Sequence, residues 1–156
     1  MIGNTRRHTS TATALLLMLC CTAWIATGVR LAAQAPRSAT LTVHVTGFRN
    51  ADGNLLVLLR RDENTRVEAR TIDIDPKTLA AQVVFQNVPE GAYGVTVVHD
   101  ENKNGKLDFN EMGMPIEGYG YSNNPAKRPG PAPFEETKFT LTAPSTSTEI
   151  ALIYWP

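Results

Sequence analysis

Residues 93–111 read YGVTVVHDENKNGKLDFNE and join a β-strand pattern to an oxygen-rich loop. Tyr93, Val95 and Val97 occupy alternate positions, which is typical of a strand with one buried face. The strand runs directly into Asp100, where a stretch of the form D-x-N-x-N-G-x-L-D-x-x-E begins. The sequence therefore predicts a core strand that carries a tight polar loop at its C-terminal end.

The loop has the residue pattern of a calcium-binding loop. Oxygen-bearing side chains fall at its first, third, fifth, ninth and twelfth positions, and glycine at the sixth permits a sharp bend. Magnesium fits less well because it requires a stricter octahedron, and zinc lacks His or Cys at ligand spacing. The candidate calcium ligands are Asp100, Asn102, Asn104, Lys106 (through its main-chain carbonyl), Asp108 and Glu111.

An alternative interpretation of the loop requires no metal. A strand precedes it, and Gly113 and Pro115 follow it, so a helix–loop–helix hand is not expected and Glu111 need not fold back onto a cation. In that case the Asn and Asp side chains hydrogen-bond the loop's own backbone. We favour calcium, because extracellular sites function at affinities of ~10⁻⁴–10⁻³ M.

The N-terminus has the pattern of a secretory signal. A basic start at residues 6–8 precedes an apolar run at 14–29 and small residues at 32–35. We predict a signal peptide at 1–35, a single domain at 36–156, and a periplasmic or secreted location.

Three further features qualify the predicted signal. Pro36 disfavours a cut directly before it, so cleavage one or two residues earlier is equally compatible with the sequence. An uncleaved anchor is an alternative, although the apolar run is slightly shorter than the ~20 residues needed to span a bilayer. The residues around Arg6 and Arg7 match twin-arginine export poorly, and Leu19 before Cys20 disfavours a lipoprotein signal.

Composition excludes several classes of function. Cys20 and Cys21 both lie in the apolar run, so a mature product would have neither disulfides nor thiol catalysis. The chain has 15 basic and 15 acidic residues without a basic stripe, which disfavours nucleic-acid binding. After signal cleavage we expect no stable membrane span.

Short strands separated by turn signals account for the remainder of the domain. We expect the turn at Asn50–Gly53 to join the first two strands as a hairpin. We expect the third strand, which is rich in charged residues, to lie at a sheet edge, and His44 to face outward. About seven strands predict an all-β, antiparallel, immunoglobulin-like or prealbumin-like sandwich. The predicted strands are 41–45, 55–59, 66–74, 81–88, 93–99, 138–142 and 149–154.

The Gly- and Pro-rich segment at 112–134 is too long for an ordinary connection. It is either an ordered coil or a lid or binding loop. Tyr119 and Tyr121 are candidate ligand-binding residues, because aromatic rings beside polar amides stack on sugars or partners. We favour the alternative that both rings simply pack the coil onto the sandwich, because buried aromatic side chains commonly have that role.

Catalysis has little support in the sequence. Ser122, His99 and Asp108 could in principle form a hydrolase triad, but no nucleophile-elbow or oxyanion-loop sequence accompanies them. We expect His99 to be a solvent-facing residue at a strand end. The sequence therefore predicts a non-enzymatic protein.

Four blocks, which occur in order along the chain, carry a family resemblance. They are Gly47–Gly53, Val88–Tyr93, His99–Asp108 and Gly113–Asn124. Across about residues 40–154 the chain resembles the bacterial family labelled domain of unknown function 2141. The resemblance implies a small exported β-sandwich without an established activity.

The resemblance also bears on the candidate ligands. Members commonly keep the Asp/Asn/Gly loop, which fits Asp100, Asn102, Asn104 and Asp108. Relatives tend to have an apolar residue where this chain has Glu111, and this difference weakens Glu111 as a ligand.

The combined hypothesis is an exported, non-enzymatic binding or structural module of the cell envelope, with a calcium-binding-like loop at 100–108. Its partner is not identified by the sequence, although a cell-envelope component or a glycan is compatible. The alternative function is a carbohydrate-binding module or hydrolase that uses the Tyr-rich segment at 112–134.

Overall fold

The computed structural model describes residues 37–128 and 130–156. In these ranges eight strands form two sheets, and the chain also has one short helix. The predicted signal peptide lies outside the described residues. The elements are β1 (Ser38–Thr46), β2 (Asn54–Arg60), β3 (Arg66–Ile72), β4 (Ala81–Pro89), β5 (Gly91–Asp100), β6 (Gly118–Tyr121), α1 (Phe134–Thr137), β7 (Lys138–Leu141) and β8 (Ser145–Ala151).

The strands divide into a three-stranded sheet and a five-stranded sheet. The smaller sheet has the order β4-β1-β8, and the larger has the order β3-β2-β5-β6, with β7 also paired to β5. The two strands β6 and β7 share one side of β5, since β7 pairs with its first half and β6 with its second. The all-β, two-sheet prediction is confirmed. The parallel pairing of β1 with β8 was not predicted.

The core lies between the sheets and follows the alternation in the sequence. Leu41, Val43 and Val45 of β1 are fully buried, as are the alternate residues Tyr93, Val95 and Val97 of β5. The intervening residues Thr42 and His44 are half-buried. A period of two along each strand therefore places one apolar face inside, as the sequence predicted.

The predicted hairpin between the first two strands is wrong. β1 pairs with β4 and β8, whereas β2 pairs with β3 and β5, so the turn at 50–53 crosses from one sheet to the other. The turn itself forms: Asn50 accepts a hydrogen bond from the Asp52 amide at 2.9 Å, and Gly53 has φ +75°. A turn signal fixes the local bend but does not identify the strand's pairing partner.

The edge-strand prediction is confirmed by β3, which lies at the end of the larger sheet with mostly exposed residues. Charged side chains on such an edge discourage pairing with a second chain. Among the residues that the structure describes, no helix has the length and apolar character needed to cross a membrane.

The long segment predicted as coil or lid contains a strand. Residues 118–121 form β6, which pairs antiparallel with residues 96–99 of β5. Glycines permit this approach: a Cβ on Gly118 would lie 2.4 Å from the Tyr154 ring, and one on Gly120 would lie 2.7 Å from Ile150. The strand is only four residues long, Gly-Tyr-Gly-Tyr, which is too short for its alternation to identify it within a Gly- and Pro-rich segment.

Three side chains after β6 bind main-chain groups of other strands. Ser122 accepts a hydrogen bond from the Val95 amide at 2.9 Å and donates one to the Thr137 carbonyl. Asn123 donates to the Lys138 carbonyl at 2.7 Å. These contacts tie β5 to the start of β7.

Asn124 protects the edge of β8 in a similar way. Its amide donates to the Glu149 carbonyl at 3.0 Å and accepts from the Ala151 amide at 2.8 Å. One side chain thus takes the place of a neighbouring strand over this stretch.

Gly53 offers a stability test with a matched control. Its φ is +75°, and an added Cβ would lie 2.0 Å from the Asp100 carbonyl oxygen, whereas Gly113 has the same φ with open space around it. We expect Gly113→Ala to cost about 1–2 kcal/mol from backbone strain alone. Gly53→Ala adds an overpacking cost of about 1–3 kcal/mol. Urea unfolding measures both, and equal losses would contradict the close approach at Gly53.

Candidate functional site

Asp100 anchors the loop at the end of β5. Its side chain is fully buried. One carboxylate oxygen accepts a hydrogen bond from the Asn104 amide at 3.0 Å, and the other accepts one from the Gly105 amide at 2.7 Å. Left-handed backbone at Lys103 and Gly105 turns these amides toward the carboxylate. The buried charge is thereby stabilised by main-chain donors and shapes the bend.

Glu117 is a second buried carboxylate at the base of the loop, and sequence reasoning missed it. It is 4% exposed. Its two oxygens accept hydrogen bonds from the amides of Glu101 at 2.9 Å and Asp108 at 3.1 Å. These amides lie at the two ends of the loop, so one carboxylate closes it. The available signal was that Glu117 is the one acidic residue within the Gly- and Pro-rich segment at 112–134.

The other predicted ligands form a layer of mutual contacts. The amide oxygens of Asn102 and Asn104 each accept a hydrogen bond from a loop backbone amide at 3.0 Å. Their amide nitrogens both donate to the same oxygen of Asp108 at 2.6 Å. The Lys106 ammonium lies 3.2 Å from the other Asp108 oxygen. The hydrogen bond from Asn102 contributes most to holding the pKa of Asp108 below its usual value, aided by Lys106 and Asn104.

The donor set has the hard-oxygen chemistry that calcium prefers. Asp100, Asn102, Asn104 and Asp108 gather in one loop, and each oxygen that accepts a backbone hydrogen bond keeps a second lone pair. The hydrogen bonds from the loop's own amides to Asp100, Asn102 and Asn104 are those of the metal-free interpretation. Calcium binding would therefore have to displace the amide nitrogens and Lys106 from Asp108. Within 37–128 and 130–156, no group of three or more His, Cys, Asp or Glu side chains clusters as a metal site, so Asn oxygens are essential to this hypothesis.

The structure places Glu111 away from this layer. It is exposed in a turn held by Asn110, whose side chain accepts hydrogen bonds from the amides of Met112 and Met114. In the described part of the chain, Glu111 makes no hydrogen bond to the loop. Its role as a ligand remains a prediction, and Glu117 is the carboxylate that contacts the loop's ends.

His99 is buried, and the expectation that it faces solvent is wrong. It is 0% exposed. One ring nitrogen lies 2.8 Å from the Asp52 carbonyl and the other lies 2.7 Å from the Tyr154 hydroxyl. Because a carbonyl only accepts, the first nitrogen donates, and in neutral His99 the second accepts from Tyr154. The residue joins the turn at 50–53 to the C-terminal segment.

An ion pair lies beside His99. Arg49 donates to both carboxylate oxygens of Glu101, and Asn50 donates to Glu101 at 2.8 Å. The hydrogen bond from Arg49 is the main cause of the lowered pKa of Glu101, and the same contact raises the pKa of Arg49. Arg49 also donates to the Ile116 carbonyl at 3.1 Å. Arg49 therefore connects the sheet-crossing turn to Glu101 at the start of the loop and to Ile116 in the segment that follows it.

The three residues of the conceivable hydrolase triad are committed to separate contacts. Ser122 is fully buried and bonds the backbone of β5 and α1. His99 bonds Asp52 and Tyr154, and Asp108 bonds the loop asparagines. No hydrogen bond joins any two of the three in the residues described. This arrangement offers no nucleophile activated by a base.

The two candidate tyrosines occupy different environments. Tyr119 is 5% exposed, and its hydroxyl accepts a hydrogen bond from the Trp155 indole at 2.8 Å. Tyr121 is half-buried and meets Tyr119 edge-on at 5.9 Å between ring centroids. Burial raises the pKa of Tyr121. Both tyrosines line one cleft, together with Phe109 and Pro131.

A comparison with protein families identifies the family of this chain. Residues 43–149 match the model of a family described as "Uncharacterized protein conserved in bacteria (DUF2141)". No curated protein matches the chain, and no solved structure matches it. The matched range includes the loop, Glu117 and the Ser-Asn-Asn run.

Glu117→Gln should loosen the loop. The neutral side-chain amide of the variant keeps one acceptor oxygen, but its NH2 group faces a backbone amide that then lacks an acceptor. We therefore expect a loss of about 1–3 kcal/mol in the free energy of unfolding. Hydrogen exchange at the Glu101 and Asp108 amides should accelerate. Glu111→Gln, on the exposed turn, should change stability by less than about 0.5 kcal/mol. Unchanged exchange in Glu117→Gln would contradict the anchoring role.

Glu101 should contribute to acid sensitivity. Its folded pKa is lowered, so its stabilisation is present above the ordinary value of 4.5 and is lost as pH falls through the folded pKa. We expect wild type to exceed Glu101→Gln in stability by about 1 kcal/mol near neutrality, and the gap to close toward acid pH. Urea titrations at several pH values measure this. A gap that is independent of pH would contradict the ion pair's contribution.

Proposed function

This chain belongs to the DUF2141 family of uncharacterised proteins conserved in bacteria, and we propose that it is an exported, non-enzymatic module of the cell envelope whose loop at 100–108 binds calcium. The observation that carries the calcium proposal is the gathering of Asp100, Asn102, Asn104 and Asp108 in a single bend. Calcium would order this bend and the segment that follows it.

Local charge supports a cation at this position. Asp100 and Glu117 are both buried, and each of the two carboxylates accepts hydrogen bonds from backbone amides. Asp108 adds a third negative charge to this region, although the three carboxylates do not cluster as ligands of one ion in the described residues. The cationic neighbour of Asp108 is the 69% exposed Lys106. A divalent ion would offset this negative charge more completely than a surface lysine, whose ion pairs contribute little in water.

The non-enzymatic proposal is supported by how the polar groups are used. Side chains that resemble catalytic residues, Ser122 and His99, are buried and hydrogen-bonded to structural partners. A carbohydrate-binding function has weaker support. Both tyrosines line a cleft, but Tyr119 is 5% exposed and its hydroxyl already accepts a hydrogen bond from Trp155. A binding or structural role remains the simpler interpretation.

Export is supported by the sequence pattern at 1–35, which has a basic start, an apolar run and a small-residue exit. The periplasmic or extracellular location that this implies is compatible with a weak calcium site, since such modules bind at ~10⁻⁴–10⁻³ M.

Calcium-dependent melting tests the metal proposal. If calcium binds the folded chain at about this affinity, 10 mM calcium should add roughly 1.4–2.7 kcal/mol over a chelated sample, because a ligand that binds the folded state stabilises it. Calorimetry should then show a melting temperature several degrees higher. Magnesium at the same concentration should have a smaller effect.

Two variants provide the comparison. Asp108→Asn removes a ligand charge and should abolish most of the shift. Asp62→Asn alters an exposed Asp in a different turn, where it accepts hydrogen bonds from the amides of Asn64 and Thr65, and it should retain the full shift. Identical melting temperatures of the wild type in calcium and in chelator would refute the calcium proposal.

A further inference from the structure

The outer face of the larger sheet carries an open groove that the loop partly covers. Leu56 and Leu58 of β2 alternate with the buried residues of that strand, and Val98 of β5 lies beside Leu56 on the same face. Leu107 reaches over this floor from the loop. The groove has a volume of about 340 Å³, within the range of roughly 300–1,000 Å³ of small-molecule pockets.

The charges that line the groove are all positive. Arg66, Arg70 and Lys106 contribute to its walls, and its lining contains no Asp or Glu. Arg70 is paired with Glu68, and Lys106 with Asp108. Arg66 makes no ion pair with any residue in the described ranges. An apolar floor beside an uncompensated guanidinium favours a ligand with an apolar body and a negative group.

Thr96 contributes a polar side chain to the groove lining. Its hydroxyl oxygen is buried and has no hydrogen-bond partner among the residues described. Thr96 pairs with Leu58, so it belongs to the same strip as the apolar floor. Because the oxygen is closed to solvent, it offers a ligand no free hydrogen-bonding site. The features of the groove that a ligand would meet are its apolar floor and its positive charge.

We propose that this groove binds a monomeric anionic amphiphile, an acyl chain that ends in a carboxylate. The chain lies along Leu56, Leu58 and Val98 beneath Leu107, and the carboxylate is held on the cationic side near Arg66. This site differs from the calcium loop in ligand and in chemistry. The two share only Gly105, Lys106 and Leu107 as a wall.

Isothermal titration with sodium dodecanoate, below its micelle concentration, tests the proposal on the full chain. We expect saturable binding of one molecule per chain. Arg66→Gln should weaken it about two- to fivefold, as expected for removing one exposed charge partner. Lys77→Gln removes the charge of an exposed lysine that does not line the groove, and it should leave binding unchanged.

A steric pair of variants separates the groove from general surface effects. Ala69 pairs with Leu58 on the outer face and is exposed, so Ala69→Trp should fill the groove and reduce binding at least about tenfold. Val84 is exposed on β4 of the other sheet, so Val84→Trp should bind as wild type does. Melting curves verify that both variants are folded.

Several outcomes would overturn the proposal. These are no saturable binding, equal affinity for dodecyltrimethylammonium, or unaltered binding by Ala69→Trp. Flotation with phosphatidylglycerol vesicles without binding of monomeric dodecanoate would indicate a membrane surface instead. A wild-type dimer that Ala69→Trp dissociates would indicate that a second copy covers this face.

The titration is run in chelator, because calcium precipitates dodecanoate as an insoluble soap, and the effect of calcium on melting is measured separately without dodecanoate. Dodecanoate binding in chelator, with no calcium effect on melting, would support the groove while refuting the calcium proposal. A calcium effect on melting without dodecanoate binding would support the calcium proposal while refuting the groove.

Discussion

Two buried carboxylates determine how one end of the sandwich is built. Asp100 and Glu117 each accept two backbone hydrogen bonds, and together they fix both the bend and the closure of the loop. A buried charge needs such partners, because its transfer from water is otherwise strongly unfavourable. The loop, the strand that carries it and the segment that returns as β6 are therefore constrained together. Whatever the loop binds, its backbone is already shaped by these two side chains.

The residues that carry the family resemblance share a physical task. His99 and Glu101 connect the sheet-crossing turn to the C-terminal segment and to Arg49. Ser122, Asn123 and Asn124 replace missing backbone partners at three strands. Polar residues in a distinctive order often suggest catalysis, but here most of them satisfy main-chain groups that would otherwise lack partners. The residues that identify the family thus contribute to closing a small sandwich whose described part contains no cysteine.

Local pattern predicted the strands better than their partners. The alternation in β1 and β5 identified the buried face residue by residue, because the side-chain period of a strand is a local property. Pairing depends on the whole chain, so the turn at 50–53 was assigned to a hairpin although it joins different sheets. The loop was found from its side-chain oxygens, whereas Glu117 was missed because it lies outside the twelve-residue pattern. His99 continues the alternation of Tyr93, Val95 and Val97, which indicated the buried face, but it was placed in solvent because a strand end usually is exposed. The C-terminal Tyr154 that hydrogen-bonds its ring could not be anticipated.

The parallel pairing of β1 with β8 has a mechanical consequence. The first and last strands of the described domain lie side by side and run in the same direction. A force that pulls the start of β1 away from the end of β8 therefore acts along their shared ladder. Its hydrogen bonds are loaded together in shear, instead of opening one after another as in a hairpin pulled from its ends. The domain is thus built to resist extension between its termini.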